Sequence, residues 1–242
     1  MRLTVAHARA MTIELARYPA YVVPTLVFPS VFFLFFAAPA GSQGAAVRMA
    51  TFAGFAAIGV AFFQFGVGIA VERGSPWETY LRTLPIGSLV RLGARLIAAA
   101  LFACAAAGTL IVVAVAVTGA TLPPLRWLAL ASTLLAGTIP FALLGIALGY
   151  WSPERGALPI ANLLYLGLAY AGGLWMRPRD LPGSVAGISP YLPTRALSDL
   201  LTGAAAGTPI AWSRWLTLVG FAALFALLAV AGYRRDEGRR FR

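Results

Sequence analysis

The sequence predicts an all-α integral membrane protein with six transmembrane helices, a short helix after the second of them and an irregular external segment before the last. Three observations predict it. Of the 242 residues, 60% are hydrophobic and only 11% are charged, where a soluble domain carries roughly 25% charged residues. The apolar residues gather in six runs close to the roughly 20 residues that a spanning helix needs. The charged residues fall between those runs. No hydrophilic block is long enough to fold separately, so residues 1–242 read as one membrane domain.

The runs follow in order. The first covers 20–38 and contains Pro24 and Pro29, which spanning helices tolerate as kinks. The second, 49–71, is interrupted mainly by Gln64. The third covers 96–118, the fourth 128–150, and the fifth 158–175, which is short. The sixth covers 215–233. Ahead of the first run, Arg2, Arg9, Glu14 and Arg17 are spread evenly over residues 1–19, with no apolar core or cleavage site of a secretory signal.

All 19 basic residues are arginine and the formal net charge is +11. In a soluble protein this would suggest nucleic acid, but here the arginines lie between apolar runs and no nucleic acid partner is expected. With both ends inside, 13 arginines fall on the cytoplasmic side and 6 outside, as the positive-inside rule requires. Four of the six sit in one long loop, where that rule is weak. The basic tail, residues 234–242, is the strongest anchor. Both termini are therefore expected in the cytoplasm of a multi-pass plasma membrane protein. Cys104 lies inside an apolar run and reads as a packing residue. His7 stands alone, so no metal site is expected.

The segment from Glu72 to Pro85 reads as a short helix with its own start and stop. Ser75 is a natural N-cap, Pro76 sits where its missing N–H is harmless, and Glu78 completes a capping box. Pro85 and Gly87 end it. Glu78 and Arg82 can pair four residues apart. Trp77, Tyr80, Leu81 and Leu84 share one apolar face. A helix this short is not stable alone in water, so that face must dock. Spacing leaves two destinations open: the membrane interface, or a cytoplasmic partner.

These residues carry a family resemblance. Glu72-Arg73, Gly74-Ser75, Glu78 and Leu81 through Pro85 resemble the first intracellular loop of ABC-2 type transporter permeases; Pro76-Trp77 departs from the commoner sequence. Arg17-Tyr18-Pro19 before a Phe-rich first helix resembles the family's N-terminal elbow. The stretch from Asp180 to Leu197 resembles its external loop before the last helix. The resemblance covers helix number, loop lengths and order along the chain.

It implies the fold of a type V ABC exporter, with a cytoplasmic elbow at 1–19, a coupling loop at 72–92 and an external re-entrant loop at 176–214. It implies that Glu72, Arg73, Trp77, Glu78, Tyr80, Leu81, Arg82 and Leu84 contact a separate ATPase subunit, which binds ATP and Mg. This chain then needs no cofactor of its own, and has no G-x-x-x-x-G-K-[ST] loop to hold a nucleotide. A second permease subunit, identical or related, and membrane lipid are the other implied partners. The implied role is export of an amphipathic or hydrophobic substrate, such as a drug, antibiotic or lipid, from a bacterial cell.

Read without the family, residues 176–214 favour a surface loop with an interfacial helix. Thr194 would cap that helix, and Ala196, Leu197, Leu200 and Leu201 would share its face. The central spans hold no Asp, Glu, Lys or Arg, which an ion-driven carrier usually needs. Gln64, Asn162, Tyr165 and Tyr170 are the polar groups left inside. They read first as interhelical hydrogen-bonding groups, and alternatively as lining of a translocation path. Gly145/Gly149 and Gly172-Gly173 permit close helix contact, within the chain or between two copies. Two other readings stay beside the permease. A secondary carrier or channel lacks buried charge and a visible repeat. A membrane-embedded enzyme lacks clustered carboxylates or histidines, and the chain is expected not to be an enzyme.

Overall fold

The computed structural model describes residues 2–75, 88–209 and 212–240, and the regular structure among them is helical throughout. Helix α1, Arg2–Ala16, is followed by α2, Pro19–Phe36, which keeps Pro24 and Pro29 inside a continuous helix. Helix α3, Ala45–Ala61, runs through a π-helical segment, Phe62–Val67, into α4, Gly68–Gly74. Then come α5, Ser88–Thr118; α6, Pro124–Gly137; α7, Ile139–Trp151; and α8, Glu154–Ala171. Two short helices, α9 (Gly183–Ile188) and α10 (Pro193–Ala206), precede the last, α11, Trp212–Arg240. In lipid every backbone N–H and C=O must find an internal partner, which is why apolar runs of this length resolve as helices.

Five stretches are long and apolar enough to cross a membrane: Tyr21–Ala40, Ala45–Gly74, Gly93–Thr118, Pro124–Trp151 and Trp212–Glu237. They match five of the six expected spans. The expected fifth span, 158–175, falls on α8, which is not among the five. Glu154, Arg155, Pro159, Asn162 and two tyrosines lie within its 18 residues and lower its apolarity. Gly173, at φ +77°, turns the chain just beyond it.

The helices outrun the apolar runs at several ends. Helix α5 begins at Ser88, so Arg95 lies well inside it. Helix α4 continues to Gly74 and so includes Glu72 and Arg73. Helix α4 ends at Gly74 and α5 begins at Ser88, so both ends of the expected 72–92 loop fall on helices, and residues 76–87 between them lie outside the described residues. Helix α11 continues to Arg240, so most of the basic tail is a helical extension. Helix α1, within the 1–19 segment expected to form an elbow, packs on α5; a β-carbon on Gly93 would lie 3.1 Å from Thr4 Cγ2.

The hub is Ala45–Gly74. Its most apolar stretch is 78% buried within the chain, against 22–33% for the other four spans, so those four leave most of their apolar surface outward, as lipid solvation demands. Helices α2, α5 and α10 surround α3, and α7 packs on the π-helical segment and on α11. Gly145 and Gly149 make the α7 contact. A β-carbon on Gly149 would sit 2.7 Å from Ile69 Cβ and 2.8 Å from the Phe65 carbonyl oxygen. The small-residue pair thus packs within the chain.

In the segment expected to be external, α10 is buried against the bundle. Ala196, Leu197, Leu200 and Leu201 do share one face, and all four are fully buried against α3, α6 and α11. Leu201 fills the notch at Gly54 and Leu197 the notch at Gly137. Gly54 is nine residues into α3, about 14 Å along it at 1.5 Å per residue. The expected interfacial helix is thus a packed one, because this face is apolar and matched to glycine notches, while residues 177–188 ahead of it stay mostly exposed. Thr194 is not the cap. Leu192 holds that position without a side-chain bond, and Thr194 Oγ1 is buried with no partner among the described residues.

Candidate functional site

The site starts from the two stems of the 75–87 loop. Helix α4 brings Glu72 and Arg73 to its last turn. Helix α5 brings Arg95 back along the same level. Glu72 Oε2 accepts from Arg95 Nη2 in an ion pair across the stems. The Arg95 side chain is 11% exposed and that of Glu72 is 46% exposed, so the cation is the buried partner. Arg95 Nη1 also donates to the Gln64 carbonyl at 3.3 Å. That carbonyl belongs to the π-helical segment, whose widened turn upsets the ordinary i→i−4 ladder.

Arg73 points the other way. Its Nη1 donates to Asp236 Oδ1 at 2.7 Å on α11, and its Nη2 to the Ser152 carbonyl at 2.9 Å in the turn after α7. The guanidinium also stands 5.9 Å from the Tyr150 ring centroid, within cation–π range. Tyr150 meets Tyr233 edge-on at 5.6 Å, and Trp151 Nε1 donates to the Leu228 carbonyl at 2.9 Å. Arg235 lies over the Trp151 ring at 4.9 Å. One stem of the loop is therefore tied to both α7 and the extended end of α11. Removing one partner from such a partly buried, hydrogen-bonded pair is costly, so Glu72 and Arg73 hold the end of α4 to α5, α7 and α11.

Of the residues expected to contact a partner, Glu72 and Arg73 are described and form this brace. Trp77, Glu78, Tyr80, Leu81, Arg82 and Leu84 lie outside the described residues. Ser75, the expected N-cap, is the C-cap of α4 in extended backbone (φ −82°, ψ 142°), and the helix it would start lies outside the described residues.

The four interior polar residues are not brought together as one site. Gln64 is buried and its Oε1 accepts from the Tyr21 hydroxyl at 2.7 Å. Tyr165 is buried, stacks on Phe55 at 4.6 Å and donates to the Phe55 carbonyl at 3.1 Å. Asn162 donates at 3.2 Å to the Leu158 carbonyl of its own helix. Tyr170 packs 5.5 Å from Trp175. Gln64 and Tyr165 therefore spend their polar atoms on interhelical bonds. An open apolar groove of about 150 Å³ lies instead between the hub, α5 and the α6/α7 junction, lined by Ala57, Phe65, Ala99, Ala103, Thr138 and Ala142 among others.

Sequence reasoning missed Arg95, Asp236 and Tyr21 as partners. Nothing in the spacing links Arg73 to a carboxylate on the final helix. The one available signal was local: Arg95 immediately precedes an apolar run, on the far side of a short loop from Glu72.

No family model matches the chain, and no solved structure matches it. Over 223 residues it is 24% identical to a Bacillus subtilis (strain 168) protein named "Putative transport permease YvfS", covering 90% of this chain and 91% of that one. That match supports the resemblance to permeases of the ABC-2 type drawn from the loop residues.

Proposed function

From a multi-pass membrane chain related over nine-tenths of its length to a transport permease, we propose the permease subunit of an ATP-driven exporter. The match to that permease is the observation that carries the reading, because it spans both chains almost end to end. In this account the short apolar-faced helix at 77–84 docks in a separate ATP-binding subunit, which supplies ATP and Mg. ATP-driven closure of two such subunits pushes on the loop. The push passes through the Glu72–Arg95 pair to α5 and through Arg73 to Asp236 and the Ser152 turn. A six-span arrangement with both termini cytoplasmic, α8 crossing as the fifth span and the α9–α10 segment dipping into the outer leaflet, fits this role. So does a second permease subunit across the bilayer plane. The outward apolar surfaces and aromatic side chains suit an amphipathic or hydrophobic substrate.

The chain's own residues make the mechanical link and bind no nucleotide. Copurification tests the proposal. The detergent-solubilised chain should bring down an ATP-hydrolysing subunit, and charged replacements at Trp77 and Leu81 should reduce its recovery by at least about tenfold, as loss of two buried apolar anchors implies. Unchanged assembly and transport in that double variant would remove the coupling role of the loop.

A further inference from the structure

Arg48 and Arg177 converge at the end of the bundle opposite the Glu72–Arg95 brace. A β-carbon placed on Gly44 would lie 3.6 Å from Arg48 Nη1 and 3.8 Å from Arg177 Nη2, so both guanidiniums approach one point. That point is the start of α3, where Gly44 is the N-cap and no side chain makes a capping hydrogen bond. A helix start already carries partial positive charge. Among the described residues neither arginine has an ion pair, although Arg179 pairs with Asp180 and both Arg195 and Arg214 with Asp199.

A purely structural role accounts for part of this. Arg48 donates to the Gln43 carbonyl at 2.7 Å and to the Gly41 carbonyl, which holds the turn between α2 and α3. It leaves Arg48 Nε, on a residue only 9% exposed, with no partner among the described residues. It also leaves a second, exposed guanidinium beside the first, with no carboxylate paired to either among the described residues to offset their repulsion.

Apolar surface adjoins the cationic point. Phe28, Phe32 and Phe36 recur every four residues on α2, with successive rings tilted at 42° and 43° and their centroids 4.6 and 5.1 Å apart. Trp175, two residues before Arg177, meets Phe32 at 5.2 Å and Phe36 at 5.5 Å. Phe36 is 54% and Phe28 38% exposed, so the track opens outward along a span that is itself mostly unburied. The Trp175 indole N–H is without a partner among the described residues.

We propose that Arg48, Arg177 and the start of α3 bind the phosphate of an anionic phospholipid from the adjoining leaflet, whose acyl chain lies along Phe36, Phe32 and Phe28 on α2. Two converging guanidiniums and a helix N-terminus suit a phosphate oxyanion. The location favours a bilayer lipid as its source, since the cationic point and the aromatic track meet at the end of a membrane span. The inference rests on the multi-pass reading and not on coupling to ATP.

The test uses the full purified chain in an uncharged detergent, without nucleotide or partner, so its failure leaves the transport reading intact and the reverse also holds. Short-chain phosphatidylglycerol, phosphatidylcholine with the same chains, and inorganic phosphate are titrated separately, followed by intrinsic tryptophan fluorescence. Phosphatidylglycerol should bind at least about tenfold more tightly than phosphatidylcholine, and Arg177→Ala should remove about that factor. Arg177 is exposed, so this variant should unfold at the wild-type temperature. Phe36→Ala should weaken phosphatidylglycerol about threefold and leave inorganic phosphate unchanged. Equal binding of the two lipids, or wild-type affinity in Arg177→Ala, would overturn the site. Inorganic phosphate binding as tightly as phosphatidylglycerol would overturn the lipid as its occupant.

Discussion

Glu72 at the end of α4 meets Arg95 on α5, and Arg73 meets Asp236 beside them; at the other end of the hub, Arg48 and Arg177 approach one point at Gly44, and neither has an ion pair among the described residues. The first end has its charges matched and tied by backbone carbonyls to α7 and the π-helical segment. The second keeps net positive charge at a helix start, where the macrodipole makes it less favourable still. On the proposed function, the matched charges at the loop end form the joint that carries the push, and on the proposed lipid site the unmatched charges at the opposite end form the receptor.

Mutations test the contrast most strongly at the joint. Arg95→Ala leaves Glu72 and the Gln64 carbonyl without the cation. It should destabilise the chain by about 2 kcal/mol, below the roughly 3–5 typical of fully buried pairs because Glu72 is half-exposed; a thermal shift in detergent measures this. A smaller effect is expected at the second tie. A double-mutant cycle of Arg73→Ala with Asp236→Ala should give a coupling energy of about 1 kcal/mol. Zero coupling would free the α11 extension from the loop and break the joint into independent parts. Least of all, Arg177→Ala should change stability by no more than about 0.5 kcal/mol. It should stabilise if anything, since it relieves the repulsion with Arg48. A loss of 2 kcal/mol there would make the opposite end structural and erase the distinction.

Much of the scaffold was legible. Five apolar runs resolve as spans because lipid leaves the backbone no option but the helix. The apolar face at Ala196, Leu197, Leu200 and Leu201 follows from its period, but of its two expected destinations the interfacial one does not hold. Whether such a face lies on a surface or in a core depends on glycines elsewhere, here Gly54 and Gly137, which sequence order does not connect to it. The fifth run is the doubtful span for a physical reason, since α8 mixes a charged start with Asn162 and two tyrosines. Glu72 and Arg73 were singled out by motif, yet their partners on α5 and α11 are tertiary facts. The same holds for Arg48, which was counted as a topology signal and is buried at a turn. The four interior polar residues were given two readings. Gln64 and Tyr165 satisfy the first through Tyr21 and Phe55.

The central claim is that force enters through the loop from a separate motor. Photo-crosslinking from residue 81 in native membranes tests it most directly. The account predicts a nucleotide-sensitive adduct between a photoreactive side chain at that position and an ATP-binding polypeptide. Adducts confined to lipid or to this chain itself, with transport persisting in the absence of nucleotide, would contradict it.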